Sequence, residues 1–594
     1  MLDLKKNRLN YGKLLSPPEG YELERAIGTT YSLDLFALLA VPVALFYSKS
    51  LEGNFTQNRY DVLESIRQCK DKVVLYCQRG KIKVPDSYNK LLAFVEDCIV
   101  EVTPPIVNAS FHPKLWVLRF INNDGDILYR VIVLSRNLTF DRSWDIAGYT
   151  EGKLTNNKIA SSSKLSNFLK YFIRQNRNNL DGGFLKDLSK TSFDSPEQFD
   201  SLQFHPVLGF NNQLSSFPNP LEKATFKDLL IISPFVDITT LKRIKALSKS
   251  ITLISRNEEL QNIPTNILST MEVWCLNPLV VQGEDMLDSE ESMPLTQNLH
   301  AKIYVGQTDS GTSYFLGSAN CTDPAFTRNA ECMIQMDTKV SSRNLKNLKE
   351  QLLNNEQSIF QPYKSISVIP DEEKVNLERL LREINYSISN LELKGIIEKN
   401  ESNQNFNLVL KLKAIELSEN DFSFKIGLIH RKLDDAIFFN PEMSSDIIFE
   451  NIAITNLSSF IVIGIFLNKI LKQSLLVKMD VLIPVERNAV IFNNLISSKI
   501  KFFQYLQFLL APDDFQGLME IFEDDTKIQQ ITGNSSQDIT IHTPIYEHLL
   551  LAASRTPKKL AQIDKVIEYL KKQEGNVVED FLPLWNVFKE FIDE

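Results

Sequence analysis

The sequence runs HPKLWVLRF from His112 to Phe120 and HAKIYV from His300 to Val305. Both stretches open with a His-x-Lys triplet and continue into apolar residues typical of a buried β-strand. Residues i and i+2 of a strand project to the same side, so each triplet should direct an imidazole and an ammonium group at one point. We therefore expect two strands that each begin with a pair of cationic side chains.

The residues around each triplet also repeat. Buried strands and helix-like stretches alternate before both triplets, and a turn and a second strand follow, from Leu128 to Asn137 and from Tyr314 to Asn320. Alternating strands and helices are typical of an α/β fold. The recurrence of the whole order predicts an internal duplication within the first 370 residues.

Each hairpin ends in a Ser-x-Asn triplet, Ser135 to Asn137 in the first and Ser318 to Asn320 in the second. Serine and asparagine two residues apart on a strand can join the histidine and lysine around one small anion.

A carboxylate follows each hairpin, Asp145 in the first and Glu331 in the second. Each could accept a hydrogen bond from the far nitrogen of a histidine, which would fix the tautomer of the ring. Glu151 competes with Asp145 for this role.

These residue types suit phosphodiester cleavage without a metal ion. A neutral histidine can attack phosphorus, a protonated one can deliver a proton to the leaving oxygen, and cations and amides can hold the non-bridging oxygens. The predicted catalytic residues are His112, Lys114, Asn137, Asp145, His300, Lys302, Asn320 and Glu331. The predicted phosphate-binding residues are Ser135, Ser318, Arg136 and Arg142. We expect no metal and no cofactor.

The paired motifs resemble the phospholipase D superfamily over residues 20–340. The family's motif has an Asp where this chain has Arg119 and Gln307. The tyrosyl-DNA phosphodiesterase branch also lacks that Asp, and the pattern is similar to bacterial nucleases of the superfamily, including metal-independent restriction endonucleases. The resemblance implies two α/β/α repeats packed side by side, with the site at their junction.

By the same resemblance, the function is a nuclease reaction through a phosphohistidine, with His112 as the favoured nucleophile and DNA favoured over RNA. A phage-defence or restriction context and a partner ATPase or helicase, bound through the C-terminal region, rest on analogy with such nucleases. Two alternatives stay open. One is a lipid phosphodiesterase, and the other is a catalytically silent scaffold that binds a partner.

The composition limits these choices only partly. The 594 residues carry a net charge of −9, so a nucleic-acid ligand would need a local basic surface. The longest apolar run, Leu35 to Tyr47, is too short to span a bilayer, which needs about 20 residues. Six cysteines without a CxxC pair fit a reduced compartment. We expect a cytoplasmic protein without membrane contact, and its oligomeric state is left open.

Four domains are predicted. Residues 1–180 and 181–370 form the two repeats, residues 371–485 a β-sandwich-like module, and residues 486–594 a helical C-terminal module. Linker-like stretches at residues 161–164 and 189–201 suggest the first boundary. Residues 284–291 carry five acids and are hypothesised to form an acidic lid ahead of His300.

Overall fold

The computed structural model of the chain is a mixed α/β structure with several sheets. It describes residues 9, 11–46, 69–140, 143–175, 182–210, 221, 225–277, 298–354, 358–364, 372–400, 404–417, 421–496, 560, 563–564, 567 and 581–589. The acidic stretch at 284–291 and most of the predicted C-terminal helical module lie outside these residues.

The first 210 residues hold nine strands and five helices in their described part. The strands are β1 (Tyr21–Thr30), β2 (Val73–Gln78), β3 (Ile99–Val102), β4 (Leu115–Asn122), β5 (Ile127–Leu134), β6 (Ser143–Trp144), β7 (Ala147–Leu154), β8 (Thr191–Phe193) and β9 (Ser201–Leu208). The helices are α1 (Tyr11–Leu15), α2 (Leu35–Phe46), α3 (Leu92–Val95), α4 (Ala160–Gln175) and α5 (Gly182–Leu188).

The next segment, to residue 364, holds a second set. Its strands are β10 (Phe226–Ile232), β11 (Ser248–Ser255), β12 (Glu272–Leu276), β13 (Asn298–Leu299), β14 (Ile303–Gln307), β15 (Thr312–Gly317), β16 (Ala330–Thr338) and β17 (Phe360–Pro362). Its helices are α6 (Ile238–Lys245), α7 (Asn257–Gln261), α8 (Thr265–Leu268), α9 (Asp323–Thr327) and α10 (Leu345–Leu353).

The two large sheets follow the same plan. Their strands run in the orders β3-β2-β1-β4-β5-β7-β8 and β17-β12-β11-β10-β14-β15-β16-β9. Strand β1 pairs in parallel with β2 and antiparallel with β4, and β10 does the same with β11 and β14. A parallel pair needs a crossover connection, which passes through α2 in the first sheet and α6 in the second.

One hydrophobic cluster joins the two sheets. It contains Val117 and Val131 of the first sheet and Ile303 and Leu316 of the second, each at most 2% exposed. Burial of such side chains stabilises the arrangement by about 1.5–3 kcal/mol each. The sheets are therefore held against each other by a common core.

Two sequence expectations need correction. The His-x-Lys triplets lie just ahead of β4 and β14 rather than within them. The backbone there is tied to the hairpin partner instead, because the carbonyl of Lys114 accepts from the Leu134 N–H at 2.8 Å and that of Lys302 from the Gly317 N–H at 3.2 Å.

The serine-rich stretch at 161–164 is the first turn of helix α4 and not a linker. Its serines are accommodated because their hydroxyls donate to nearby carbonyls, as Ser162 does to Thr191 at 2.6 Å. The helix then buries Phe168 and Phe172 in the common core.

A smaller module follows, and it begins with helix α11 (Glu372–Ser389), which the sequence did not predict. Its strands are β18 (Leu393–Lys399), β19 (Phe406–Leu412), β20 (Phe422–Leu428), β21 (Ile437–Phe439), β22 (Ser445–Ile452), β23 (Phe460–Leu467) and β24 (Ile470–Lys478). They form sheets of order β18-β19-β22 and β21-β20-β23-β24 that share one hydrophobic cluster. Helices α12 (Glu486–Ile496) and α13 (Leu582–Lys589) complete the described elements.

The module is fastened to the first sheet by a buried ion pair. Arg487 lies 2.8 Å from Glu96, and both side chains are at most 2% exposed. The same guanidinium donates to the carbonyls of Leu457 and Ala93, and Ser458 donates to Glu96. A buried pair with its remaining donors satisfied fixes geometry, and removal of one partner leaves an uncompensated charge.

None of the helices in the described ranges combines the length and apolar character that a membrane crossing requires.

Candidate active site

The two His-x-Lys triplets meet at the junction of the large sheets, where the backbone of each half pairs with the other. The His112 N–H donates to the carbonyl of Ala330 at 2.9 Å, and the His300 N–H donates to the carbonyl of Trp144 at 3.0 Å. Strand β13 pairs in parallel with β6 beside the second contact. Ala330 precedes Glu331 and Trp144 precedes Asp145. The backbone of each histidine is therefore anchored next to the residue that carries the carboxylate of the opposite half.

Glu331 is the carboxylate that holds His112. His112 Nδ1 lies 2.9 Å from Glu331 Oε2, so this nitrogen carries the ring proton and Nε2 keeps its lone pair. Ser318 donates to the same oxygen at 2.5 Å, and Asn329 Nδ2 donates to Oε1 at 3.1 Å. Three donors therefore converge on one fully buried carboxylate.

Asp145 occupies the matching place in the first half but makes a different contact. It accepts from Ser143 at 2.8 Å and from Ser135 at 3.4 Å, while His300 Nδ1 is buried with no partner among the residues that the structure describes. The side chain of Asp145 is one methylene shorter than a glutamate. Its competitor Glu151 instead pairs with Arg130 at 2.6 Å.

Two buried lysines face the histidines. Lys114 and Lys302 are each 1% exposed, which is rare for lysine without an ion pair. Lys114 Nζ lies 2.8 Å from His112 Nε2 and 3.1 Å from the His112 carbonyl, and Lys302 Nζ donates to the His300 carbonyl at 2.6 Å. An ammonium group has three donors, so both lysines retain hydrogen-bonding capacity for a ligand.

Burial and mutual repulsion shift the pKa values of these cations downward. Burial is the largest cause of the shift for both lysines and both histidines. The charge of Lys302 lowers the pKa values of Lys114 and His300 further. The pKa of Lys302 falls to about 7 and that of His112 to about 4, although Glu331 opposes both shifts. The pKa of Lys114 lies well below its ordinary value, as does that of His300. Burial raises the pKa of Asp145.

The two asparagines are partly exposed, but their side-chain oxygens are buried and unused. The Oδ1 atoms of Asn137 and Asn320 have no hydrogen-bond partner within the described residues. Buried polar atoms usually have partners, and orphaned ones concentrate at sites that await a ligand or water.

The predicted phosphate-binding residues are placed differently from the expectation. Ser135 and Ser318 are fully buried behind the histidines, where their hydroxyls accept from the Ile146 and Cys332 N–H groups and donate to the carboxylates. A hydroxyl has one proton, and that proton is already committed. Arg136 lies at the rim, where it donates to the Thr139 carbonyl and approaches Asp145 at 3.7 Å. Arg142 lies outside the described residues.

Three residues near the site were not singled out from the sequence. Tyr31 lies edge-on to His112 with ring centroids 5.1 Å apart, and Arg256 stacks on Phe235 with 4.8 Å from its guanidinium carbon to the ring centroid. Each lies just after the end of a strand: Tyr31 after β1, Arg256 after β11 and Phe235 after β10. That position at a strand end was the available signal, and it was too general to single them out.

The positions where the motif Asp is absent serve structural roles. Arg119 pairs with Glu24 at 3.1 Å and with Asp187 at 3.0 Å, and the Gln307 side chain caps the turn that ends at Thr312. His205 of β9 bonds to Gln335 at 2.8 Å. His542 and His548 lie outside the described residues.

In the described part of the chain, no group of three or more His, Cys, Asp or Glu residues could hold a metal ion. The arrangement instead brings two imidazoles and two buried lysines together, because the charges of His112, Lys114 and Lys302 all act on His300. Such a set can bind a small anion and exchange protons with it.

Comparisons with known proteins give only distant structural matches. No family model matches the sequence, and no curated protein matches it. Yeast tyrosyl-DNA phosphodiesterase aligns with 15% identity and a TM-score of 0.34, over 55% of this chain and 85% of that one. A mutant of the same enzyme aligns with 16% identity and a TM-score of 0.35, over 56% of this chain and 86% of that one. Polyphosphate kinase from Porphyromonas gingivalis aligns with 12% identity and a TM-score of 0.32, over 63% of this chain and 50% of that one.

Proposed function

We propose that this protein is a metal-independent phosphodiesterase of the phospholipase D superfamily. Its substrate is nucleic acid, DNA in preference to RNA, and it cleaves through a phosphohistidine intermediate. The observation that carries the proposal is the convergence of two buried lysines and two half-buried histidines with two carboxylates, one of which is committed to His112.

The excess of cationic groups explains why an anion should bind there. The charge of Lys302 lowers the affinity of Lys114 for protons in the empty site, and the charge of Arg256 does the same to Lys302. A phosphodiester carries one negative charge and two non-bridging oxygens, so it relieves this repulsion and accepts the unused lysine donors. Desolvated charges gain more from such a ligand than exposed ones do.

His112 suits the role of nucleophile. Its lowered pKa of about 4 keeps the ring neutral at pH 7, and the Glu331 hydrogen bond holds the ring proton on Nδ1. The Nε2 lone pair accepts from Lys114 Nζ at 2.8 Å in the empty site, and it becomes available for attack once Lys114 turns to a phosphate oxygen. In the first step the Nε2–P bond forms and the P–O bond to the leaving strand breaks. The departing oxygen takes a proton from His300.

His300 acts as acid and then as base. In the empty site its pKa is depressed by burial and by the nearby cations. The charge of a bound phosphodiester raises that pKa, so binding of the substrate and protonation of His300 favour each other. In the second step His300 removes a proton from water, the water oxygen attacks phosphorus, and the P–N bond to His112 breaks.

The shared strand order of the two large sheets supports an internal duplication, with repeats at residues 1–180 and 181–370. Several expectations stay predictions: the four domain boundaries, a cytoplasmic location, a phage-defence or restriction context, and a partner ATPase or helicase bound through the C-terminal region. Residues Arg136 and Arg142 remain proposed contacts for the strand that flanks the site.

The proposal is tested by cleavage of labelled oligonucleotides in EDTA. We expect activity from the wild type, loss on His112→Ala or His300→Ala, and retention on His205→Gln, a histidine in β9 away from the site. Rapid quenching of His300→Ala with a labelled p-nitrophenyl phosphodiester, whose leaving group needs no proton, should trap labelled phosphate on His112. A strict requirement for Mg²⁺ would contradict the mechanism.

Parallel assays separate the alternatives. Hydrolysis of phospholipid vesicles without cleavage of DNA or RNA would establish the lipid phosphodiesterase instead. Absence of cleavage and of a phosphohistidine with every phosphodiester would favour the silent scaffold.

A further inference from the structure

Two arginines occupy matching places in the two large sheets. Arg79 follows β2 and Arg256 follows β11, and these strands lie next to the matching strands β1 and β10. A cation at this strand end lies beside the active site, where loops at strand ends gather. The two arginines nevertheless have different surroundings.

Arg79 is fully engaged by the protein. It pairs with Glu101 at 3.0 Å and donates to the carbonyls of Lys478, Leu391 and Ser389 in the C-terminal module. All the nitrogens of its guanidinium group are therefore used in fastening the module to the first sheet. Four of its five N–H bonds are thus occupied by the protein.

Arg256 is held at one nitrogen only among the described residues. Its Nε donates to the Leu299 carbonyl at 2.8 Å, and its planar face rests on Phe235. The two contacts fix the plane of the guanidinium group and leave the four N–H bonds of its terminal nitrogens for a ligand. The side chain is partly exposed, so a ligand can reach it.

The group also lies within the electrostatic field of the active site. Leu299 precedes His300, and the charge of Arg256 acts on His300, Lys302 and Asp145. Two acids of α7, Glu258 and Glu259, interact with it as well. Neither acid has a hydrogen bond or ion pair with Arg256, so the terminal nitrogens of its guanidinium group stay available to a ligand.

We propose that Arg256 binds the phosphate next to the scissile phosphate in a nucleic-acid strand. A fixed guanidinium fork matches two oxygens of one phosphate, whereas the lysines beside the histidines take the scissile group. This inference rests on the proposed function and narrows its substrate to a chain with consecutive phosphates. A phospholipid with one phosphodiester would leave Arg256 unused.

A different role must be separated from this one. The bond to the Leu299 carbonyl could serve only to position His300, and loss of Arg256 would then slow every substrate alike. The two roles differ in their response to the charge of the neighbouring phosphate, because a positioning residue does not contact it.

The test uses thymidine dinucleotides that carry a scissile p-nitrophenyl phosphodiester at either end. The internucleotide link is either a phosphodiester or a neutral methylphosphonate. With the wild type we expect kcat/KM about 10- to 100-fold higher for the charged link in one of the two orientations, the range typical of a charge-assisted hydrogen bond. Arg256→Gln should reduce this ratio to about 1, and Arg256→Lys should leave an intermediate ratio.

Arg243→Gln serves as the control, since this exposed arginine of α6 pairs with Asp323 away from the site. It should keep the wild-type ratio. A ratio unchanged in Arg256→Gln would overturn the inference and leave the proposed function standing.

A second measurement does not depend on cleavage. Binding of the charged and neutral dinucleotides to His112→Ala, followed by fluorescence anisotropy, should show the same discrimination and its loss when Arg256→Gln is added. Discrimination in binding without any cleavage by the wild type would support the Arg256 contact and contradict the phosphodiesterase. Equal affinities for both dinucleotides would overturn the contact.

Discussion

Replacement of Glu331 by glutamine tests the centre of the site, because the carboxylate receives only donors. Oε2 accepts from His112 and Ser318, and Oε1 accepts from Asn329. A glutamine offers one oxygen and one NH₂ group in the same space. One of the three donors must therefore meet another donor.

Neither orientation of the amide avoids a loss. With the oxygen toward His112, the NH₂ group faces Asn329 Nδ2, and Asn329 cannot rotate because its Oδ1 accepts from the Ser110 N–H at 3.0 Å. With the NH₂ group toward His112, the ring must move its proton from Nδ1 to Nε2, which removes the nucleophilic lone pair. A buried unsatisfied donor costs about 1–3 kcal/mol.

We expect Glu331→Gln to lower the free energy of unfolding by about 1–3 kcal/mol. We also expect it to lower kcat by about 10²–10⁴-fold, with the larger loss of kcat if His112 adopts the wrong tautomer. The rate is measured in single-turnover cleavage, the stability in urea, and the tautomer of His112 by ¹⁵N NMR. Ser313→Ala, which removes a hydroxyl bonded to Asp337 in the same sheet, is the control for a general effect of mutation. Wild-type kcat in Glu331→Gln, with the proton still on Nδ1, would refute the role of the carboxylate.

Three further outcomes are expected. Asp145→Glu should bring the carboxylate within reach of His300 and raise the pKa of His300 by about one unit or more, measured by NMR titration. An unchanged titration of His300 would argue against the matched placement of the two acids. Sulfate affinity measured by calorimetry should fall by up to tenfold per pH unit above pH 7, because the pKa of Lys302 in the empty site is about 7 and binding takes up its proton; Lys302→Met should remove this dependence. Gly317→Ala should destabilise the protein by about 2 kcal/mol or more in urea unfolding, because φ is +154° and the new Cβ would meet the Cys332 carbonyl; equal stability would contradict that geometry.

The sequence predicted the parts of the site that depend on local spacing. The His-x-Lys and Ser-x-Asn triplets lie at matching ends of two hairpins. Alternation and turn chemistry act over a few residues, so they can be recognised in a chain before it folds. Catalytic roles for these residues stay predictions until they are measured.

The pairing of side chains across the two halves could not be predicted in the same way. His112 and Glu331 are 219 residues apart, and the sequence does not indicate which carboxylate takes which histidine. Arg256 was overlooked because a single arginine after a strand has no distinctive pattern. The serines at the start of α4 were mistaken for a linker because their hydroxyls bond to backbone groups outside the helix. Ser162 donates to the Thr191 carbonyl, and Ser161 accepts from the Phe204 N–H.

The backbone contacts across the junction have a consequence for biosynthesis. The strand that carries Glu331 also supplies the carbonyl that receives the His112 N–H, and it is the last strand of the site to be translated. While a ribosome is still making β16, the first histidine has neither its proton partner nor its anchor. Under the proposed function, the site would thus stay incomplete on the nascent polypeptide, beside the messenger and ribosomal RNA, until β16 had been translated.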